Sequence, residues 1–208
     1  MNALHGLYVI TDAALCARHG LSDSVAAALR GGARLVQYRD KSGDQERRLR
    51  EAKALAALCR EHGATFIIND DVMLAKACDA HGVHLGRDDG DIAAAREALG
   101  TGKVIGISCY DELERARRAR ELGADYIAFG SLFPSSIKPD AVRAPLTLFA
   151  EARHLGLPMC GIGGIDRDNI ADVAAAGADM AAVISAVFDR PSLQEIEQAA
   201  RALAGAFG

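Results

Sequence analysis

The feature that most constrains this chain is a rhythm. Short apolar runs alternate with longer Ala-, Arg-, Glu- and Leu-rich segments along its whole length. The runs are "LYVIT" (7–11), "RLVQY" (34–38), "TFIIN" (65–69), "GVHLG" (82–86), "KVIGIS" (103–108), "DYIAFG" (125–130), "PMCGIG" (158–163) and "DMAAVIS" (179–185). Helical patterns such as "DQERRLREAKALAALCREH" (44–62) and "DELERARRARELG" (111–123) stand between them. Glycines at 31–32, 63, 123 and 177 supply the left-handed turn after a helix, and a strand then resumes. Ser22, Asp44, Asp111, Asp166 and Ser192 occupy expected capping positions.

Eight strands alternating with eight helices imply parallel strands joined by crossovers. An open doubly wound sheet and a closed barrel both satisfy that pattern. Eight units within 208 residues match a compact barrel. The G-x-G-x-x-G turn that dinucleotide binding requires after the first strand is absent. The predicted fold is α/β, a single-domain (β/α)8 TIM barrel over residues 1–208, uninterrupted by linker or low-complexity sequence.

Composition narrows the partners. A formal charge of −4 and a pI near 5.9 give no general basic footprint, which argues against nucleic acid. The five cysteines, Cys16, Cys59, Cys78, Cys109 and Cys160, are scattered and form no C-x-x-C pair. They suit buried thiols in a reducing compartment better than disulfides or zinc. No apolar run is long enough for a membrane span, and no signal-peptide pattern is seen. The chain is expected to be a soluble cytoplasmic protein without membrane partners; a homo-oligomer is compatible with this reading.

A barrel carries its active site at the C-terminal ends of its strands. In "LVQYRDK" an extended chain puts Leu35, Gln37, Arg39 and Lys41 on one side. Other strand ends supply Thr11 and Asp12, Asn69 and Asp70, Asp88 and Asp89, Ser108 and Tyr110. The sixth leads into "GSLFPSSIKPD" with Ser135 and Lys138, the seventh ends in "GIGGI", and the eighth in Ile184 and Ser185. Polar groups of both signs therefore gather on one rim. That weakens the alternative that Arg39 and Lys41 merely belong to a solvated loop.

Each cluster has a chemical reading and a plain one. "GIGGI" (161–165), with Ile184 and Ser185, matches the phosphate site that barrels build after strands seven and eight. Its amides are expected at the start of the helix near Asp166. The plain reading is a tight turn that needs glycine for packing. Asp70 and Asp89 follow neighbouring strands, and hard oxygen ligands there suit magnesium. The plain reading is helix capping, which we assign to Asp71 and Asp88. Arg39, Lys41 and Lys138 complement an anion richer in charge than one monophosphate. A magnesium-bound pyrophosphate fits two carboxylates, three cations and Asn69.

The motifs "YVITD" (8–12), "VQYRDK" (36–41), "IIND" (67–70), "GVHLGRDD" (82–89), "GISC" (106–109), "ADYIAFGSLFPSSIK" (124–138), "GIGGI" (161–165) and "AAVISAV" (181–187) resemble the thiamine phosphate synthase family, in order and over nearly the whole chain. That family couples a hydroxymethylpyrimidine pyrophosphate to a thiazole phosphate and releases pyrophosphate. The resemblance implies that Gln37, Arg39, Lys41, Asn69 and Lys138 contact the pyrophosphate and pyrimidine, with Ser135 supplying a further hydroxyl. It implies that Asp70 and Asp89 hold Mg2+, that Ser108 lies near the pyrimidine, and that Gly164, Ile184 and Ser185 hold the thiazole phosphate. Arg39, Lys41, Asn69, Ser108 and Lys138 are then the expected catalytic set. It acts by positioning and electrostatics, without a protein nucleophile or general base.

The chain departs from the family pattern in places. Arg87 stands where "GQxD" has glutamine, and Tyr110 where "GxSxH" has histidine. The threonine pair of "FPTxTK" is replaced by Ser135 and Ile137, losing a hydroxyl worth roughly 0.5–1.5 kcal/mol. A divergent paralogue is the alternative, either a thiazole tautomerase or a non-catalytic binder of thiamine intermediates. The tautomerase needs an acid–base histidine, and Tyr110 stands in its place. His84, inside strand four, reads as a satisfied core or rim residue. A Schiff-base enzyme using Lys41 or Lys138 would need a desolvated lysine, which the neighbouring acids oppose. The long connection 131–145 is a candidate lid.

Overall fold

The structure, a computed structural model, describes residues 4–86, 91–134 and 142–207. The chain begins with β1 (Gly6–Ile10), α1 (Ala13–Ala17), α2 (Leu21–Arg30), β2 (Leu35–Tyr38) and α3 (Gln45–Glu61). It continues through β3 (Thr65–Asn69), α4 (Val72–Ala77), β4 (Gly82–Leu85), α5 (Ile92–Leu99), β5 (Val104–Tyr110) and α6 (Leu113–Glu121). Then follow β6 (Tyr126–Phe129), α7 (Thr147–Ala152), β7 (Met159–Ile162), α8 (Ile170–Ala175), β8 (Met180–Val183), α9 (Ser185–Phe188) and α10 (Leu193–Ala204). The strands are all parallel and close in sequence order, with β8 returning to β1. This is the predicted (β/α)8 barrel.

Period-two alternation divides each strand between two cores. From β1, Leu7 and Val9 pack outward against the helices, while Tyr8 and Ile10 point into the barrel. The interior is filled by Tyr8, Ile10, Leu35, Ile67, Tyr126, Ala128, Cys160, Met180 and Ala182. Among the described residues no helix is long and apolar enough to cross a membrane.

Three expected caps are corrected. Asp44 and Ser192 do cap α3 and α10, accepting from the Arg47 and Glu195 amides. Ser22 instead lies within α2, whose N-cap is Gly20. Glu112 rather than Asp111 precedes α6, without a side-chain cap. Asn169 rather than Asp166 precedes α8, because Asp166 closes a preceding turn by accepting from the Asp168 amide at 2.9 Å. The segments that follow the two strands of the β1–β8 seam also carry more than one helix each: α1 and α2 after β1, α9 and α10 after β8. The helix count therefore exceeds eight.

All five cysteines are buried and free. Burial pushes the Cys16 thiol up to about 11 and those of Cys59 and Cys109 to about 12, so they are protonated and inert at neutral pH.

Candidate active site

The C-terminal mouth of the barrel collects the polar strand ends. Thr11 braces the end of β2: its amide donates to the Gln37 carbonyl at 2.9 Å, and its hydroxyl accepts from the Arg39 amide at 3.0 Å. The chain then turns at Asp40, which accepts from the Ser42 amide at 2.6 Å and pairs with Arg47 at 2.7 Å. Burial works against the charge of Asp40. The Ser42 amide and hydroxyl, the Arg47 guanidinium and the Tyr38 hydroxyl outweigh it and hold the carboxyl below the usual carboxylate range. Asp40 is thus a folding element of the loop. Its fixed turn leaves Arg39 and Lys41 at the rim, and neither cationic head has a hydrogen bond or ion pair among the described residues.

A cleft of about 510 Å³ opens there, lined in part by Lys41, Arg48, Asn69, Asp70 and Asp71. Asp71 caps α4 by accepting from the Leu74 amide at 2.8 Å and pairs with Arg48 at 2.9 Å, as its expected structural role requires. Asp70 is different. It holds a left-handed backbone, φ 63°, which is uncommon for a residue with a side chain. Its amide donates to the His84 carbonyl at 2.8 Å, and its carboxylate accepts from Asn69 Nδ2 at 2.5 Å. Strain of this kind persists where surrounding structure enforces it, typically at a functional position.

A hard cation fits the chemistry of this mouth. Asp70 offers a carboxylate to the cleft, with Asn69 hydrogen-bonded to it. Magnesium keeps several waters and takes one or two carboxylates together with substrate oxygens, so a full protein cage is not required. The second expected ligand, Asp89, lies outside the described residues, as do Asp88, Arg87, Ser135, Ile137 and Lys138. The candidate lid falls partly outside them too.

Ser108 is held from two directions. Its hydroxyl is 2.9 Å from His84 Nε2, and its carbonyl accepts from Arg115 Nε at 2.6 Å. Arg115 also donates to the Gly86 carbonyl at 2.9 Å and lies over the Tyr110 ring. One arginine on α6 therefore ties together the ends of β4 and β5. The β5–β6 register shifts between Ser108 and Tyr110.

The barrel interior beneath the mouth holds a chain of polar contacts that the sequence did not announce. Gln37 Nε2 donates to the Tyr8 hydroxyl at 2.7 Å. The Tyr8 and Tyr126 hydroxyls meet at 3.0 Å, and Tyr126 reaches His84 Nδ1 at 2.8 Å. His84 is thus a satisfied residue, as expected, yet it links this chain to Ser108. Register explains the encounter. Gly106 pairs with His84 on one side and Tyr126 on the other, and the two rings stack over it at 5.5 Å. A Cβ at Gly106 would lie 2.0 Å from Tyr126 Cζ.

At the opposite side of the mouth, Gly163 and Gly164 hold φ of 99° and 64°. A Cβ on Gly164 would sit 2.5 Å from the Pro134 carbonyl, and one on Gly163 would sit 2.3 Å from Ser131 Oγ. Packing against the 131–134 segment alone therefore requires both glycines. Asn169, which no sequence motif marks, secures this turn: it donates to the Gly164 carbonyl at 2.9 Å and accepts from the Asp166 amide at 3.0 Å. Ile184 and Ser185 begin α9, directly after β8.

Comparison with known proteins places this architecture. The family model described as "Thiamine monophosphate synthase" matches residues 7–187. A thiamine-phosphate synthase of Thioalkalivibrio sulfidiphilus is 55% identical over 205 residues, covering 98% of this chain and 96% of its own. One from Chromobacterium violaceum is 55% identical over 210 residues, covering 99% and 97%. The solved structure of a thiamine phosphate pyrophosphorylase from Pyrococcus furiosus superposes with a TM-score of 0.87 at 37% identity, covering 97% and 95% of the two chains. The barrel, its mouth and these likenesses lead to one conclusion: the chain belongs to the thiamine monophosphate synthase family and is a transferase.

Proposed function

We propose that this protein joins hydroxymethylpyrimidine pyrophosphate to thiazole phosphate, giving thiamine phosphate and pyrophosphate, in the cytoplasm. The observation that carries the reading is the shared cleft at the mouth, where the uncommitted Lys41 stands beside Asn69 and the strained Asp70. Relatives that are 55% identical over nearly the full chain favour the synthase over a tautomerase or a non-catalytic binder. Lys41 is exposed rather than desolvated, which opposes the Schiff-base alternative.

In this mechanism Arg39 and Lys41, joined by Lys138 and Ser135, hold the pyrophosphate and offset charge as it departs. Arginine grips phosphate through paired donors, and lysine acts as a point charge. Asp70 and Asp89 would hold Mg2+, which supplies further neutralisation of the leaving group. Gln37, Asn69 and Ser108 orient the pyrimidine, whose amino-substituted ring carries the methylene cation left behind. The Gly164 turn and the amides at Ile184 and Ser185 seat the thiazole phosphate, so that the thiazole nitrogen faces that carbon.

The test is incubation of the purified protein with magnesium and both substrates, with detection of thiamine phosphate and pyrophosphate. Both products should form, vanish with a chelator and return with magnesium. Absence of product while both substrates bind would overturn the synthase reading and revive the divergent paralogue.

A further inference from the structure

The polar chain through the barrel interior has a direction, and that direction fixes what Ser108 can offer a ligand. Gln37, Tyr8, Tyr126 and His84 are all buried. A neutral hydroxyl in such a chain donates one hydrogen bond and accepts others. The Gln37 amide nitrogen donates to Tyr8. Among the described residues Tyr126 is the remaining partner of the Tyr8 hydroxyl, so the Tyr8 proton goes to Tyr126. The Tyr126 proton then goes to His84 Nδ1. With Nδ1 accepting, the imidazole carries its proton on Nε2 and donates to the Ser108 oxygen. A doubly protonated imidazole would force Tyr126 to donate backwards and leave the buried Tyr8 proton without an acceptor. A buried donor left so costs roughly 1–3 kcal/mol.

We propose that Tyr8, Tyr126 and His84 are positioning residues that present the Ser108 hydroxyl to the mouth as a hydrogen-bond donor. The Ser108 proton, not used within the chain, is then matched by an acceptor atom of the substrate ring, as a heteroaromatic ring nitrogen is. The claim deepens the proposed function and rests on it for the identity of the ring, while the polarity of the chain belongs to the free protein. Gly106 is part of the device, because its missing side chain gives the Tyr126 ring its place beside His84.

Two measurements test this independently. In protein labelled with 15N-histidine, the His84 resonances are identified among the six histidines by their loss in His84→Gln. The free protein should show His84 neutral, with Nδ1 unprotonated and Nε2 protonated. A proton on Nδ1 would overturn the proposed polarity. The second measurement is a double-mutant cycle of Tyr126→Phe and Ser108→Ala, read in kcat/KM for the pyrimidine pyrophosphate. Tyr126→Phe alone should lower it roughly 3- to 10-fold, the scale of one hydrogen bond. In the Ser108→Ala background the further loss should be under about twofold, because coupled residues are not additive. An equal loss in both backgrounds would show that Tyr126 acts by some route other than Ser108. If the wild-type protein makes no thiamine phosphate, the function fails, and the 15N spectrum still decides the polarity of the chain.

Discussion

Replacing Gly106 by alanine should destabilise the protein more than any glycine change on its surface. The new methyl group would lie 2.0 Å from Tyr126 Cζ, 2.1 Å from Cε1 and 2.4 Å from the hydroxyl oxygen. Ordinary carbon contacts begin near 3.5 Å, so the ring must retreat by roughly 1.5 Å. It has little room, since Tyr126 is fully buried and hydrogen-bonded to Tyr8 and His84. Overpacking of a filled core costs about 1–3 kcal/mol. Two disturbed hydrogen bonds add roughly 0.5–1.5 kcal/mol each. Alanine returns about 0.5–1 kcal/mol by restricting the unfolded chain. The net loss is about 1–5 kcal/mol. For a domain of this size that lowers the melting temperature by roughly 2–20 °C. Thermal unfolding followed by circular dichroism measures it, with Gly102→Ala as control because nothing lies within 4 Å of a Cβ there. If Gly106→Ala melted as high as the control, the steric reasoning would be wrong. The penalty should also shrink in a Tyr126→Leu background, where the ring is gone.

Two further outcomes follow from the site and one from the opposite end of the barrel. Asp70→Asn preserves a residue type that tolerates left-handed backbone but removes the charge, so turnover should fall at least 10-fold while melting changes by under about 1 kcal/mol; titration with magnesium should show the loss, and unchanged magnesium dependence would remove Asp70 from the metal site. Asn169→Ala releases the Gly164 carbonyl and the Asp166 amide; at about 1 kcal/mol for each of the two bonds, KM for thiazole phosphate should rise roughly 5- to 30-fold with that for the pyrimidine substrate unchanged. His81 should make stability pH-dependent. Burial, then Lys103 and Arg60, hold its pKa below the ordinary 6.5, and its Nδ1 accepts from the Phe66 amide at 2.9 Å. The unfolded chain therefore binds the proton more readily. The contribution is fully present above about pH 6.5 and is lost as pH falls through the lower folded value. Denaturant unfolding from pH 7.5 down to 5 should show that slope, and His81→Asn should flatten it.

Much of this molecule is determined by local sequence. Apolar runs separated by helical segments specify parallel strands joined by crossovers, and eight such units in 208 residues favour a barrel over an open sheet. The strand ends were legible to within about two residues, as "TFIIN" and "GVHLG" show. A barrel of known polarity then names the rim, so Gln37, Arg39, Lys41, Asn69, Asp70 and Ser108 group together from sequence alone. Their type carries the signal, since charged and amide groups at the end of a buried strand need an explanation.

What only the tertiary structure decided is how those groups are held. Tyr8 and Tyr126 are 118 positions apart on strands that are not neighbours, and in sequence each reads as one more apolar strand residue. Their hydroxyls meet because closure of the barrel folds two inward faces onto the same interior. Gly106 looks like any strand glycine until its register places it between His84 and Tyr126. Arg115 looks like one more solvated helix charge until it reaches two carbonyls and an aromatic ring across the β4–β5 rim. The caps expected at Ser22, Asp111 and Asp166 failed for a related reason, as the neighbouring turns and loops shifted each helix start by one or a few residues. Sequence periodicity reports which side of an element is buried. The partner across the barrel is set by closure, and closure is a property of the whole chain.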